Sequence, residues 1–161
     1  ETRAAKTLIE KAGVDVITYH QNQSYVVNEA ERQGVYSIGY HVPLESASSK
    51  YLTTVVCNWE VLYREIIKQF LQGKGNTMAN FWIGLEKDVI GLDKYSEEIT
   101  DEIVIEVEAA KEEILQGKEV FSGVIYDNLG NRKCEEDEII RDEILLEQFD
   151  WFVEGVNFYE E

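Results

Sequence analysis

At 161 residues and 44% apolar content, the chain is long enough and hydrophobic enough for an ordinary domain with a real core, which excludes a disordered or fibrous protein. Asp and Glu number 32 against 15 Lys and Arg, a net charge of −17. That sign repels phosphate, so nucleic acid and anionic membrane surfaces are excluded as partners, and no apolar run approaches the roughly 20 residues of a membrane span.

Ala5, Leu8, Ile9 and Ala12 recur at helical spacing from the first residues onward, with Gly13 in the C-cap position. The pattern begins at Glu1 with neither an initiating Met nor a signal peptide, and predicts further sequence upstream. Residues 14–19 read as a short strand ending in the polar loop 20–24, whose Ser24 caps a helix with Val26, Val27 and Ala30 inward until Gly34. Residues 35–40 are the next strand, closed by His41 before the only proline, Pro43. Residues 52–56 are extended again. They break at Asn58 into a helix in which Leu62, Ile66 and Phe70 recur at helical spacing and which Gly73 stops. Such alternation predicts an α/β fold, a parallel sheet flanked by helices.

Ligands of parallel sheets bind where strands turn into helices, because free backbone N–H groups and strand-end side chains converge there. At the third such turn, Cys57, Asn58 and Trp59 set a polar tip beside a large flat ring, a combination that suits a planar heterocycle. Asn58 reads equally as a helix cap, and Trp59 equally as a packing residue.

Past a loop at 74–77, residues 80–85 predict a fourth strand carrying Trp82. Thr100 caps a helix with Asp101 and Glu102 in its first turn, the stripe Ile103, Val107, Ala110 and Ile114, and Gly117 as its stop. Residues 120–134 predict a hairpin around the turn 127–131. A closing helix starts near Arg141 and carries Ile144, Leu145, Phe149 and Phe152, with Trp151 on its flank. Cys57 and Cys134 match no metal or redox spacing, phosphate-loop glycines and a nucleophile elbow are missing, and no cofactor is predicted. Residues 1–161 read as a single domain.

Taken together and in order, residues 12–21, 34–40, 52–59, 81–85 and 150–156 resemble the basic membrane protein family. These are type I periplasmic-binding-like lipoproteins that feed ABC transporters, usually with purine nucleosides or nucleobases as ligands. The closing 151–156 and the hairpin 122–128 are similar to the subgroup associated with free purine bases. The resemblance covers only the second half of such a protein. It implies the C-terminal lobe of a two-lobed fold, with a small C-terminal hairpin, and places 51–73 as a segment that packs in the missing N-terminal lobe. It also implies an ABC permease as partner and a parent protein anchored outside the cytoplasm by a lipid on the missing N-terminus. An apolar helix without its lobe predicts self-association.

Carried over position by position, the resemblance puts Asn58 and Trp59 at the ligand, then Gln21, Tyr40 and His41 at the preceding strand ends, with Trp82 as a further candidate. Many nucleoside-binding members have an Asp where this chain has His41 and a Lys where it has Cys57, groups that bond ribose. Their absence weakens the case for a ribosyl ligand and leaves that for a bare base. Two rivals stand beside this reading. One is an enzyme using His41 and Cys57, which needs a Cys–His contact with an orienting third group. The other is a sensory module that uses the same lobe to report ligand to an attached domain.

Overall fold

A computed structural model describes residues 1–45, 47–75 and 80–158. Helix α1 (Thr2–Thr7) runs on into a π-helical turn over Leu8–Ala12, and α2 spans Tyr25–Gln33. Each of these stretches ends on a glycine in the left-handed conformation, Gly13 at φ 68° and Gly34 at φ 72°, where any side chain is strained. Strands β1 (Val16–Thr18), β2 (Tyr36–His41) and β3 (Tyr51–Cys57) lie side by side and parallel, with Thr18 opposite Ile38 and His41 opposite Val56. Their carboxyl ends therefore share one edge. Ala5, Ile17, Val26 and Ala30 form a buried cluster against which Leu8, Tyr19 and Val35 pack, so α1, α2 and the sheet share a core.

Two devices tie this packing together. Glu29 of α2 is buried, and its carboxylate accepts from Arg32 Nε and Gln33 Nε2, both at 3.0 Å. The bond from Arg32 holds that carboxyl down at about 2, and Gln33 also bonds Glu10, joining the first helical stretch to the second. In the sheet, Gly39 lies under the Tyr51 ring. A Cβ there would sit 1.9 Å from Tyr51 Oη, so only glycine lets the ring cross to the Thr54 hydroxyl it bonds.

The sheet is completed differently from the expectation. Residues 80–84 form no strand; Leu85–Lys87 is a single 3₁₀ turn and the fourth strand is β4 (Ile90–Leu92), antiparallel to β3. Glu86 takes the Gly84 N–H at 3.1 Å, a local bond that competes with a ladder. Asn58 meanwhile donates its side-chain amide to the Asp88 carbonyl and its backbone N–H to that of Val89, both at 2.8 Å, which brings the next residues onto the edge of β3. Neither Ser24 nor Asn58 caps its helix through its side chain. The loop expected at 74–77 lies partly outside the described residues.

Helix α3 (Trp59–Leu71) follows β3 directly and, among the described residues, buries none of its own. Helix α4 (Asp101–Leu115) buries none either, against the expected stripe: Ile103 and Ile114 are exposed. Within that stripe Val107 is half-buried, as is the adjoining Val104, so the face formed by Ile103, Val107, Ala110 and Ile114 is apolar but largely uncovered.

The chain divides into two compact units, Glu1–Glu106 and Val107–Glu161, the boundary falling within α4. In the second, β5 (Ile125–Tyr126) and β6 (Arg132–Cys134) form the expected antiparallel hairpin. The closing helix α5 is shorter than its pattern, Asp142–Glu147. Phe149, Trp151 and Phe152 lie beyond it, because Phe149 leaves the helical path to pack edge-on to Phe121 and Trp151, at ring distances of 6.0 and 4.6 Å.

The hairpin turn is organised by Asp127, a buried carboxylate that accepts the N–H groups of Leu129 and Asn131 at 2.9 and 2.8 Å and pairs with Lys133 at 3.3 Å. Burial pushes this carboxyl up, but the bonds from Asn131, Leu129 and Lys133 outweigh it and hold it at about 2. Because the folded value lies below the ordinary 3.8, the stabilisation is complete above that value and is lost as pH falls towards about 2. The amides of Leu129 and Asn131 are expected to lose their hydrogen-exchange protection across that window. An Asp127→Asn variant should show weaker protection with no such step, and wild-type protection unchanged through it would contradict the assignment.

Candidate functional site

Because β1, β2 and β3 run the same way, the residues that follow them are neighbours. The outcome is a row of rings along one edge of the sheet. His20, two residues past β1, lies 4.2 Å from Tyr40 at the end of β2. Tyr40 is 5.8 Å from His41, His41 is 5.7 Å from Trp59 in the first turn of α3, and Trp59 stacks on Tyr63 at 6.1 Å. The indole Nε1–H donates to His41 Nε2 at 2.5 Å.

His41 has the less usual backbone. Its φ is 73°, and the Val42 N–H donates to the Tyr40 carbonyl at 2.9 Å. A two-residue bond closed around a positive φ is a γ-turn of the rare, strained hand. Trp59 is 43% exposed, so its ring is presented rather than packed away.

Of the residues singled out from sequence, Tyr40, His41 and Trp59 come together in this row, and Asn58 adjoins it through the chain. Asn58 uses its amide N–H on Asp88, which leaves its carbonyl oxygen to accept. Gln21 sits exposed beside His20 in the bend after β1. Trp82 is 63% exposed on the irregular stretch before the 3₁₀ turn and is not part of the row. His20 and Tyr63 were missed. Tyr63 was findable, since a ring four residues after Trp59 shares its helix face; the side chain of His20 is placed only by the pairing of β1 with β2. His41 directs Nε2 at Trp59 rather than at Cys57, so the contact required for a Cys–His enzyme is not the one made.

Beside α3 runs a groove of about 510 Å³ lined by Val61, Leu62, Gln69, Phe81, Ile83 and Val89, and the exposed side of the same helix carries Tyr63 and Ile67. The second unit has its own groove of about 600 Å³, bordered by Lys133, Cys134, Ile140, Arg141, Ile144 and Trp151. Among the described residues no cluster of His, Cys, Asp and Glu is arranged to hold a metal, and no helix is long and apolar enough to cross a membrane.

Comparison with known proteins places these features in context. A protein of Haloferax volcanii named as an ABC transporter glucose-binding protein is 29% identical over 95% of this chain, and a purine-binding protein of Brucella abortus is 27% identical over 99% of it. The chain spans only 36% and 43% of the lengths of these relatives. Among solved structures, a transcriptional activator of the comK gene from Bacillus halodurans superimposes with a TM-score of 0.64 at 24% identity, covering 71% of this chain and 41% of that one. A solute-binding protein of an ABC transporter system from Conexibacter woesei does so with a TM-score of 0.52 at 19% identity, covering 72% and 39%. At these identities the likeness is one of fold. Residues 1–122 match the Bmp family of PnrA-like ABC transporter substrate-binding proteins, and the chain belongs to that family.

Proposed function

We propose that this chain is one lobe of the solute-binding component of an ABC importer and that the ring row takes a purine base or nucleoside in a cleft closed by a second lobe. The observation that carries this reading is the line His20, Tyr40, His41, Trp59 and Tyr63 at the carboxyl ends of three parallel strands, where such sheets bind ligands. A flat heterocycle stacks on Trp59 or Tyr40, and Asn58 and Gln21 meet its edges with amide groups. No bond is made or broken. The purine-binding name of the Brucella relative supports this choice of ligand.

The helical part of 51–73 is the surface for the absent lobe. Strand β3 of that segment is paired within this sheet, whereas α3 keeps Tyr63, Ile67 and Phe70 exposed. The parent protein works outside the cytoplasm, held by a lipid anchor and docking on a permease. A hexose is the second reading, favoured by the name of the Haloferax relative.

Calorimetry with adenine, guanine, adenosine, inosine and glucose tests both readings. The isolated chain should bind all of them weakly or not at all, because half of the contacts and the closure that excludes water are missing. A longer chain that includes the first lobe should bind a purine at micromolar concentration. Micromolar binding by the isolated chain would show a self-contained site and end the lobe assignment; glucose in place of purines would move the ligand to the second reading.

A further inference from the structure

We propose that His41 is the positioning residue of the ring row: its left-handed turn sets Nε2 against the Trp59 indole N–H and so fixes the plane on which the ligand stacks. The proposal rests on the reading that Trp59 meets ligand.

Three observations lead to it. A residue other than glycine at φ 73° in a γ-turn of this hand is strained, and such strain persists only where the surroundings over-determine it. Here the surroundings are the Val42-to-Tyr40 bond at 2.9 Å on the backbone side and the indole bond at 2.5 Å on the ring side. Second, α3 buries none of its described residues and Trp59 is 43% exposed, so core packing does not hold the indole. The bond to His41 and the stack on Tyr63 do. Third, the imidazole and indole planes cross at 88° with centroids 5.7 Å apart, so the two rings do not stack and their direct contact is the N–H···N bond.

A consequence for specificity follows from the tautomer. Nε2 accepts from the indole, so the proton of the neutral ring is on Nδ1. Any contact His41 makes with a ligand is then as a donor, which favours ligand edges carrying an acceptor. Sequence reading placed His41 directly on the ligand; the geometry assigns it a role exerted through Trp59.

The test is the ¹H–¹⁵N spectrum of the three indole N–H groups in the full chain, with Trp59→Phe identifying the resonance of Trp59. In the wild type that resonance should lie downfield and exchange slowly with water. His41→Gln, whose amide oxygen reaches the place of Nε2, should keep it there. His41→Asn tolerates the left-handed backbone but reaches only as far as Nδ1, and should lose the downfield shift while melting no lower than wild type. A resonance that stays put in His41→Asn, or that moves equally in both variants, overturns the proposal. No ligand is needed for this measurement. A failure of purine binding with the indole signature intact would therefore remove the functional reading and leave His41 as the residue that orients Trp59, whereas a failure of the indole signature with purine binding intact would remove the positioning role alone.

Discussion

Trp59→Ala is expected to lower the purine affinity of the complete two-lobed protein by about 1–3 kcal/mol, roughly 5- to 150-fold, the scale on which bases stack on aromatic side chains. The structure sharpens the control. The indole is 43% exposed on a helix that buries none of its described residues, so its removal should leave the melting temperature nearly unchanged. Calorimetry beside thermal unfolding separates the two roles a tryptophan can have here. A fall in melting temperature with affinity preserved would make Trp59 a packing residue. His41→Asn should weaken binding by less than Trp59→Ala, since it frees the ring without deleting it.

The second large effect concerns association. Ile67, Phe70 and Leu71 are 58, 68 and 79% exposed on α3, and the groove beside that helix is mostly apolar. Burying three such side chains is worth roughly 1.5–3 kcal/mol each, enough to drive pairing of an isolated lobe at the concentrations used for structural work. The chain should therefore self-associate, and an Ile67→Glu, Phe70→Glu double variant should be monomeric. Ile67 is the better choice than Ile66, which the fold half-buries. Light scattering across a dilution series decides the matter: a wild type monomeric throughout, with α3 exposed, would show that this face needs no partner.

The same helix shows where sequence reasoning stops. Leu62, Ile66 and Phe70 have the spacing of an inward stripe, yet a stripe says only that a face wants cover. Leu62 and Ile66 are half-buried, Leu62 in the groove it shares with Phe81, Ile83 and Val89, whereas Phe70 is exposed, an outcome set by what else lies within reach. The candidate site divides in a similar way. Trp59 and Tyr40 were legible because large rings at the ends of predicted strands converge in any parallel sheet. Trp82 was placed on a strand that does not form, and so lost its reason to be in the site.

Local chemistry was readable without any coordinates. The turn-ending glycines at 13, 34, 73 and 117 all adopt positive φ, since that preference belongs to the residue itself. The three parallel strands lie where runs of β-branched and aromatic residues alternate with helical periods, and the hairpin at 120–134 follows from its turn composition. Pairing, by contrast, is a non-local choice. The edge of β3 accepts Ile90–Leu92 rather than 80–85 because Asn58, thirty residues earlier, holds the carbonyls of Asp88 and Val89, and no periodicity within either segment encodes that bond. His41 is the extreme case. Nothing in its neighbours announces a left-handed backbone, which persists because the Tyr40 carbonyl, the Val42 N–H and the indole of Trp59 together favour one strained conformation over the relaxed ones.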